Sequence, residues 1–371
     1  GQETDDYIVT VEGEGTYILD QATGKVTFKP EPGFTGTAKG ITVSITAPVG
    51  RDKDGNVPAD ALKTATAKYT PTVTPITLTP TNKVSEDVQN VPQTQTPTFE
   101  LSNDKTAEIT SKKLVDPATG QPTDATTVTV AGEGSYTIDP TTGAVTFVPE
   151  KDFVGTAKGV TVQATATIKN EDGKTTTITA DATYTPTVVP AVPTAQPAKS
   201  IDVQGATQKG KPTFEGTTVT VNGEQKPVTI KENSYTLVDK DGNEVTSTPA
   251  YAEDGTTVIG THTIDPTTGE VTFTPTDKSY SGKVTPVSVQ AESSNGIKVS
   301  TTYTPEIVPV TPTAENAATK DIQGKTQKGK PTFEGGKATV DGVEKTVEID
   351  EDTPATFEDG STTKTIPGEG T

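Results

Sequence analysis

Apolar and polar residues alternate along most of this chain in short runs, and no stretch shows the three-to-four-residue spacing of an amphipathic helix. The clearest run is Ser135-Tyr136-Thr137-Ile138, then Asp139-Pro140-Thr141-Thr142-Gly143, then Ala144-Val145-Thr146-Phe147-Val148-Pro149. Period two puts Tyr136 and Ile138 on one face, and Val145 and Phe147 likewise. The segment between them predicts a tight turn. Asp accepts backbone N–H bonds, Pro presets φ, and Gly takes the positive φ that closes the turn. The same hairpin returns at Asp20 to Gly24, before Val26 and Phe28, and at Asp265 to Gly269, before Val271 and Phe273.

The other landmarks return with it in a fixed order. A Pro-Thr-Phe triplet ends at Phe99, Phe214 and Phe333, spaced 115 and then 119 residues apart. Phe34-Thr35-Gly36-Thr37, Phe153-Val154-Gly155-Thr156 and Tyr280-Ser281-Gly282-Lys283 are equivalent, and each leads into an alternating strand carried by Val43, Val162 or Val289. Polar turns follow at Asp54-Gly55-Asn56, Asp172-Gly173 and Asn295-Gly296, and a last strand closes at Tyr69, Tyr184 or Tyr303. A period of this size is a domain length, longer than the repeats of solenoids and propellers. The spacing therefore predicts an array with one frame: residues 1–80 the back of a repeat, 81–193 and 194–312 two complete repeats, and 313–371 the front of a fourth. About seven short strands per copy, with the first strand closing against the last, predict an all-β fold, a tandem array of immunoglobulin-like β-sandwich repeats. Five recurring aromatic positions are its expected core, each contributing roughly 1.5–3 kcal/mol on burial.

Between copies the prolines crowd: Pro71, Pro75 and Pro80, then Pro186, Pro190, Pro193 and Pro197, then Pro305, Pro309 and Pro312. Such spacing forbids helix and favours polyproline II. The expectation is a Pro-rich extended linker of about ten residues, reaching about 30 Å, that holds domains apart and in line.

Composition narrows the function classes. Only 29% of the 371 residues are hydrophobic, which suits small β-domains with polar outer faces and is also a signature of disorder; the fixed aromatic positions favour the former. A net charge of −19, spread along the whole length, repels phosphate backbones and anionic surfaces, so nucleic acid is an unsuitable partner. No apolar run is long enough to span a bilayer as a helix. The absence of cysteine removes disulfides, thiolate metal sites and thiol nucleophiles together.

Taken in order, Pro-Thr-Phe, Gly-Glu-Gly-Thr-Tyr, Asp-x-x-Thr-Gly-x-Val-Thr-Phe-x-Pro, Phe-x-Gly-Thr-Ala and Tyr-Thr-Pro-x-Val resemble the CshA-type fibril repeat of Gram-positive, chiefly streptococcal, surface proteins. The resemblance covers the whole chain. It implies an extracellular, cell-wall-anchored fibril whose repeats form a stalk and lift an adhesive region away from the cell. The partners it implies are adjacent repeats of the same fibril and, through the full-length protein, host surface glycoproteins or other microbes. The alternative is that the repeats themselves bind a host glycoprotein or glycan. For that reading Tyr7 and Tyr251, which lie outside the shared framework, are the residues to examine. The third copy departs from the pattern, with Val258-Ile259-Gly260-Thr261-His262 where the others have Gly-Glu-Gly and an aromatic.

The chemical candidates are few. His262, the only histidine, aligns with Tyr17 and Tyr136, and a core substitution is expected there rather than a base or a metal ligand. The turns Asp52 to Asn56 and Asp239 to Asn243 echo calcium loops, but Lys63 and Ala250 stand where an EF-hand needs its bidentate Glu, so hairpin turns are the reading, with a weak surface calcium site as the alternative. Lys211 and Lys330 invite the thought of a crosslink to the closing strand, but no acidic or amide residue recurs beside Tyr69, Tyr184 or Tyr303, and the second copy has Thr96 instead. Gly-Glu-Gly at Gly13, Gly132 and Gly368 leads into a strand and lacks the Lys-Ser/Thr of a phosphate loop, so a bulge or tight bend is expected. No catalytic, cofactor-binding or metal residue is expected, and the chain is read as no enzyme. Because Thr371 stops one residue short of a core Tyr and Gly1 begins some sixteen before Tyr17, the frame suggests half-repeats at both ends, cut from a longer array or complemented by neighbouring chains.

Overall fold

The computed structural model describes residues 7–103, 105–170, 173–349, 352–367 and 369; Gly1, Asp172, Gly368 and Thr371, named above, lie outside them. The chain divides into two compact units, Gly1–Val189 and Pro190–Thr371. Both are built of β-strands with little else, most of them paired antiparallel. The only helical turn among the described residues is the short 3-10 turn Ala59–Ala61.

In the first unit the complete repeat is a two-sheet sandwich. One sheet has the order Gln93–Gln95, Val145–Pro149, Gly134–Ile138, Thr127–Val130. The other has Ala107–Leu114, Val160–Lys169, the closing strand Thr175–Val189 and Gly155–Thr156. The alternation read from sequence sets the inward faces. Along Val160–Lys169 every second residue from Val160 to Ala166 is buried. Leu114, Tyr136, Val145, Phe147, Val162 and Tyr184 are fully buried, with Phe99 and Phe153 half-buried against them. The hairpin forms in the expected register, Ile138 opposite Val145, with Gly143 at φ 78°. Residues 7–73 repeat the later part of this plan. They comprise a three-stranded sheet of Ile8–Val11, Gly15–Asp20 and Lys25–Pro30, and the long hairpin of Ile41–Pro48 with Leu62–Tyr69.

The second unit has the same sandwich. Gln208–Gly210, Val271–Pro275, Val258–Ile264 and Ser247–Tyr251 form one sheet. The closing strand Lys298–Val308, Val287–Glu292, Thr236–Val238 and Glu244–Val245 lie in the other. Residues 313–346 begin the next repeat, with Thr313–Glu315 paired to Thr332–Glu334.

Two features differ from the sequence expectation. First, the strand that closes against the last one is not the Pro-Thr-Phe segment. Lys83–Val88 runs parallel to the closing strand, Gln93–Gln95 then crosses to the other sheet, and Thr98–Leu101 turns back onto Leu78–Thr81. The crossing is made at Asn90, φ 66°, and at Gly205, φ 75°, in the third copy; Asn and Gly are the residues that take this left-handed conformation at least cost. Second, the Pro-rich stretches are extended, as expected, but about half of their length is strand. Residues 74–77, 190–193 and 309–312, four in each case, are all that separates the last strand of one repeat from the first strand of the next. Proline's φ fits extended β as well as polyproline II, and its carbonyl still accepts a bond: Ala157 N–H donates to Pro186 O at 2.9 Å.

Candidate functional site

The most elaborate recurring cluster is a buried polar staple that ties three strands together. Ser85 comes from the opening strand, Gln93 from the sheet-crossing strand, and Tyr184 from the closing strand. Ser85 Oγ donates to Gln93 Oε1 at 2.5 Å and lies 2.7 Å from Tyr184 Oη. With its proton committed to the amide, the serine accepts from the tyrosine. Gln93 Nε2 donates to the Thr187 carbonyl at 2.9 Å. The third copy repeats the staple as Ser200 to Gln208 at 2.6 Å, Ser200 with Tyr303 at 2.6 Å, and Gln208 to the Glu306 carbonyl at 3.0 Å. In the fourth, Thr319 Oγ1 donates to Gln327 Oε1 at 2.6 Å. Both Gln93 and Gln208 are buried. Burial raises the Tyr184 and Tyr303 hydroxyls above the usual phenol range, against the opposing effect of the serine bond.

Sequence reasoning passed over this cluster. Its signal is a Ser or Thr eight residues before a Gln, present in three copies. The arrangement is structural, not nucleophilic, because the serine proton rests on an amide oxygen, which is no base. Gln208→Leu would remove the acceptor of the Ser200 proton and the donor to the Glu306 carbonyl, leaving Ser200 only its bond with Tyr303. The expected cost is about 1–3 kcal/mol, seen as a drop on the order of 10 °C in the Tm of that repeat; an unchanged Tm would show the staple to be idle.

The glutamate of Gly-Glu-Gly forms a second staple. Glu133 is 7% exposed, and its Oε2 accepts the Lys158 backbone N–H at 3.0 Å; Glu14 does the same with Lys39 at 3.0 Å. Each lysine ammonium lies near the other carboxylate oxygen, at 3.9 and 3.8 Å. The glycines make the bend, as expected. At Gly134, φ 151°, a Cβ would lie 2.2 Å from the Val148 carbonyl.

The third copy replaces the whole of this second staple. Ile259 stands for the glutamate and is fully buried, His262 for the tyrosine, Thr285 for the lysine and Pro286 for the glycine. The Thr285 N–H, with no carboxylate to receive it, donates to the Tyr251 carbonyl at 2.9 Å. His262 is 1% exposed and fills the tyrosine's place in the aromatic stack, 5.4 Å from Phe273 and 5.9 Å from Tyr303 between ring centres. In the second copy Tyr136 stacks likewise on Phe147 and Tyr184, at 4.7 and 6.3 Å. Neither nitrogen of His262 has a hydrogen-bond partner, and burial lowers its pKa to about 4.

The remaining candidates are held by local structure. Asp52 Oδ1 accepts the N–H groups of Asp54 and Asn56, and Asp239 Oδ1 those of Asp241 and Asn243, which makes both turns carboxylate-capped. Among the described residues no group of three or more acidic or histidine side chains is placed to hold a metal ion. Lys211 is exposed beside Asp265 at the hairpin turn, and Lys330 is exposed. Tyr251 is half-buried with Lys240 Nζ 5.7 Å above its ring, while Tyr7 is 52% exposed. Among the described residues no helix is long and apolar enough to cross a membrane.

Sheet order and staples together define the class: a tandem array of immunoglobulin-like β-sandwich repeats. The chain belongs to the family of the surface adhesin CshA repetitive domain, whose model matches residues 1–73, 75–188, 190–307 and 309–371. No curated protein sequence matches it. Similar solved structures include mouse cadherin-23 EC22–24, at 11% identity over 82% of this chain and 85% of that one, with a TM-score of 0.26. Drosophila N-cadherin EC1–4 follows at 13% identity, 83% and 68% coverage and a TM-score of 0.21. The Ig1–2 module of the Drosophila receptor tyrosine phosphatase DLAR stands at 14%, 63% and 99%, with a TM-score of 0.18. The chain is thus a run of surface-adhesin repeats, a family that implies an extracellular surface location.

Proposed function

We propose that the chain is a stalk segment of a wall-anchored fibrillar adhesin and works by spacing an adhesive region away from the cell. The observation that carries this reading is the connector. Within each unit four residues, 74–77 and 309–312, separate the last strand of one repeat from the first strand of the next, which leaves little slack for a repeat to fold back on its neighbour. The negative charge spread over every copy discourages lateral association of such rods.

Small-angle scattering tests it. A compact globule of this length has a radius of gyration of about 21 Å; the stalk reading expects a value well above that and a pair-distance distribution with a long tail. A value near 21 Å sinks the reading. Of the two tyrosines that the binding alternative singles out, Tyr251 lies under Lys240 and Tyr7 is exposed.

A further inference from the structure

In the second unit a hairpin of one repeat reaches onto the repeat before it. Lys337–Val340 and Val343–Thr346 are joined by a two-residue turn, Asp341 at φ 49° and Gly342 at φ 79°. Lys337–Val340 lies against Ala198–Val203, the opening strand of the third copy. Lys345 Nζ reaches Asp202 Oδ2 at 2.6 Å, with the aspartate side chain 17% exposed. Two residues further along, Gln204 is held from both sides. Its Nε2 donates to the Ser279 carbonyl at 2.6 Å, and its Oε1 accepts the Val310 N–H from the connector at 2.7 Å. The base of the hairpin is fitted as closely. At Gly336 a Cβ would lie 2.2 Å from Val310 Cγ1, and Val340 on the hairpin is buried.

The hairpin is an insertion. The third copy has its own, Thr217–Val221 with Glu224–Val228, and Lys226 stands there at the place of Lys345. The second copy passes from Thr98–Leu101 to Ala107–Leu114 without one. Variable loops are often idle, but this one carries a lysine whose partner belongs to another repeat. An exposed ion pair stabilises little, whereas a partly buried one with a defined partner fixes orientation.

We propose that the inserted hairpin is a docking element, and that the Asp202–Lys345 pair, with Gln204 beside it, clamps a repeat to its successor. The partner of this surface is the next repeat of the same chain. The inference deepens the stalk reading by naming what stiffens a joint, and it rests on that reading only for its purpose.

The absence of cysteine makes the test direct. Val343 and Lys278 are both exposed, so each can be replaced by Cys in the full chain and spin-labelled, and the distance distribution between them read by pulsed EPR. One narrow distance is expected in the parent, a broad distribution in Lys345→Glu, and a narrow one again in the charge swap Asp202→Lys with Lys345→Glu. The Tm of the third repeat, followed in parallel, should stay put. A parent distribution as broad as that of Lys345→Glu overturns docking. A narrow distance that Lys345→Glu does not move overturns the clamp, as does a charge swap that stays broad. Scattering from a compact particle together with a narrow EPR distance would sink the stalk and leave the joint standing.

Discussion

Phe147→Ala is expected to unfold the second repeat at temperatures where the third is still intact. The ring is fully buried, 4.7 Å from Tyr136 and 6.3 Å from Phe153 between centres. Truncating a buried Phe to Ala typically costs about 3–5 kcal/mol, because lost transfer energy and the remaining cavity add. A domain of this size holds only about 5–15 kcal/mol in all. Collapse into the hole is restricted here. Tyr184, the next ring in the stack, is tethered through its hydroxyl to Ser85 and cannot move inward without breaking the staple. Val148, one residue on in the same strand, faces outward at 45% exposure, and Val148→Ala should stay within about 0.5 kcal/mol. Calorimetry of the full chain separates the two outcomes. A larger loss from Val148→Ala than from Phe147→Ala would mean that the strand presents its other face to the core.

That contrast was legible in the sequence because it depends only on local chemistry. Period-two alternation decides which of Phe147 and Val148 is inside. The turn from Asp139 to Gly143 was legible for the same reason: Asp139 Oδ1 accepts the Thr141 N–H at 2.8 Å and Gly143 takes φ 78°, both dictated by residue type. The aromatic framework followed from its recurrence.

What escaped sequence reading depends on distant partners. Ser85 and Tyr184 are 99 residues apart, and only the parallel pairing of the opening and closing strands brings them together. Glu133 read as part of a glycine-rich bend, yet its carboxylate serves the backbone of Lys158, 25 residues later. The Pro-rich stretches misled differently. Polyproline II and extended β differ little in φ and ψ, so composition cannot say which one a neighbouring strand will impose. Lys345 looks like any surface lysine until the repeat before it is in place.

His262 yields the second large effect, a loss of stability on mild acidification that is confined to the third repeat. In the folded repeat its pKa is lowered to about 4 by burial, against 6.5 for an exposed imidazole. The sign follows from proton binding. Above pH 6.5 neither state is protonated and the histidine contributes no penalty. Between pH 6.5 and 4 the unfolded chain takes up a proton that the folded one refuses, so stability falls with pH. At 1.36 kcal/mol per unit, the full loss is about 3 kcal/mol and is complete near pH 4. Capped carboxylates act mainly below this window: Asp254, the most shifted, is held at about 2 by the Thr257 hydroxyl and by the N–H groups of Thr257 and Thr256, so its stabilisation is lost from about pH 5 downward and mostly below pH 4. The second repeat has Tyr136 in the same slot, and its hydroxyl, with a pKa raised chiefly by burial, keeps its proton throughout this range. Melting the full chain at pH 7, 5.5 and 4.5 should therefore move one transition down and leave the other in place. His262→Phe keeps an aromatic ring against Phe273 and Tyr303 and removes the titration, so its transition should hold steady over the same range. If the His262→Phe chain loses as much stability as the parent between pH 7 and 4.5, the histidine is not the cause.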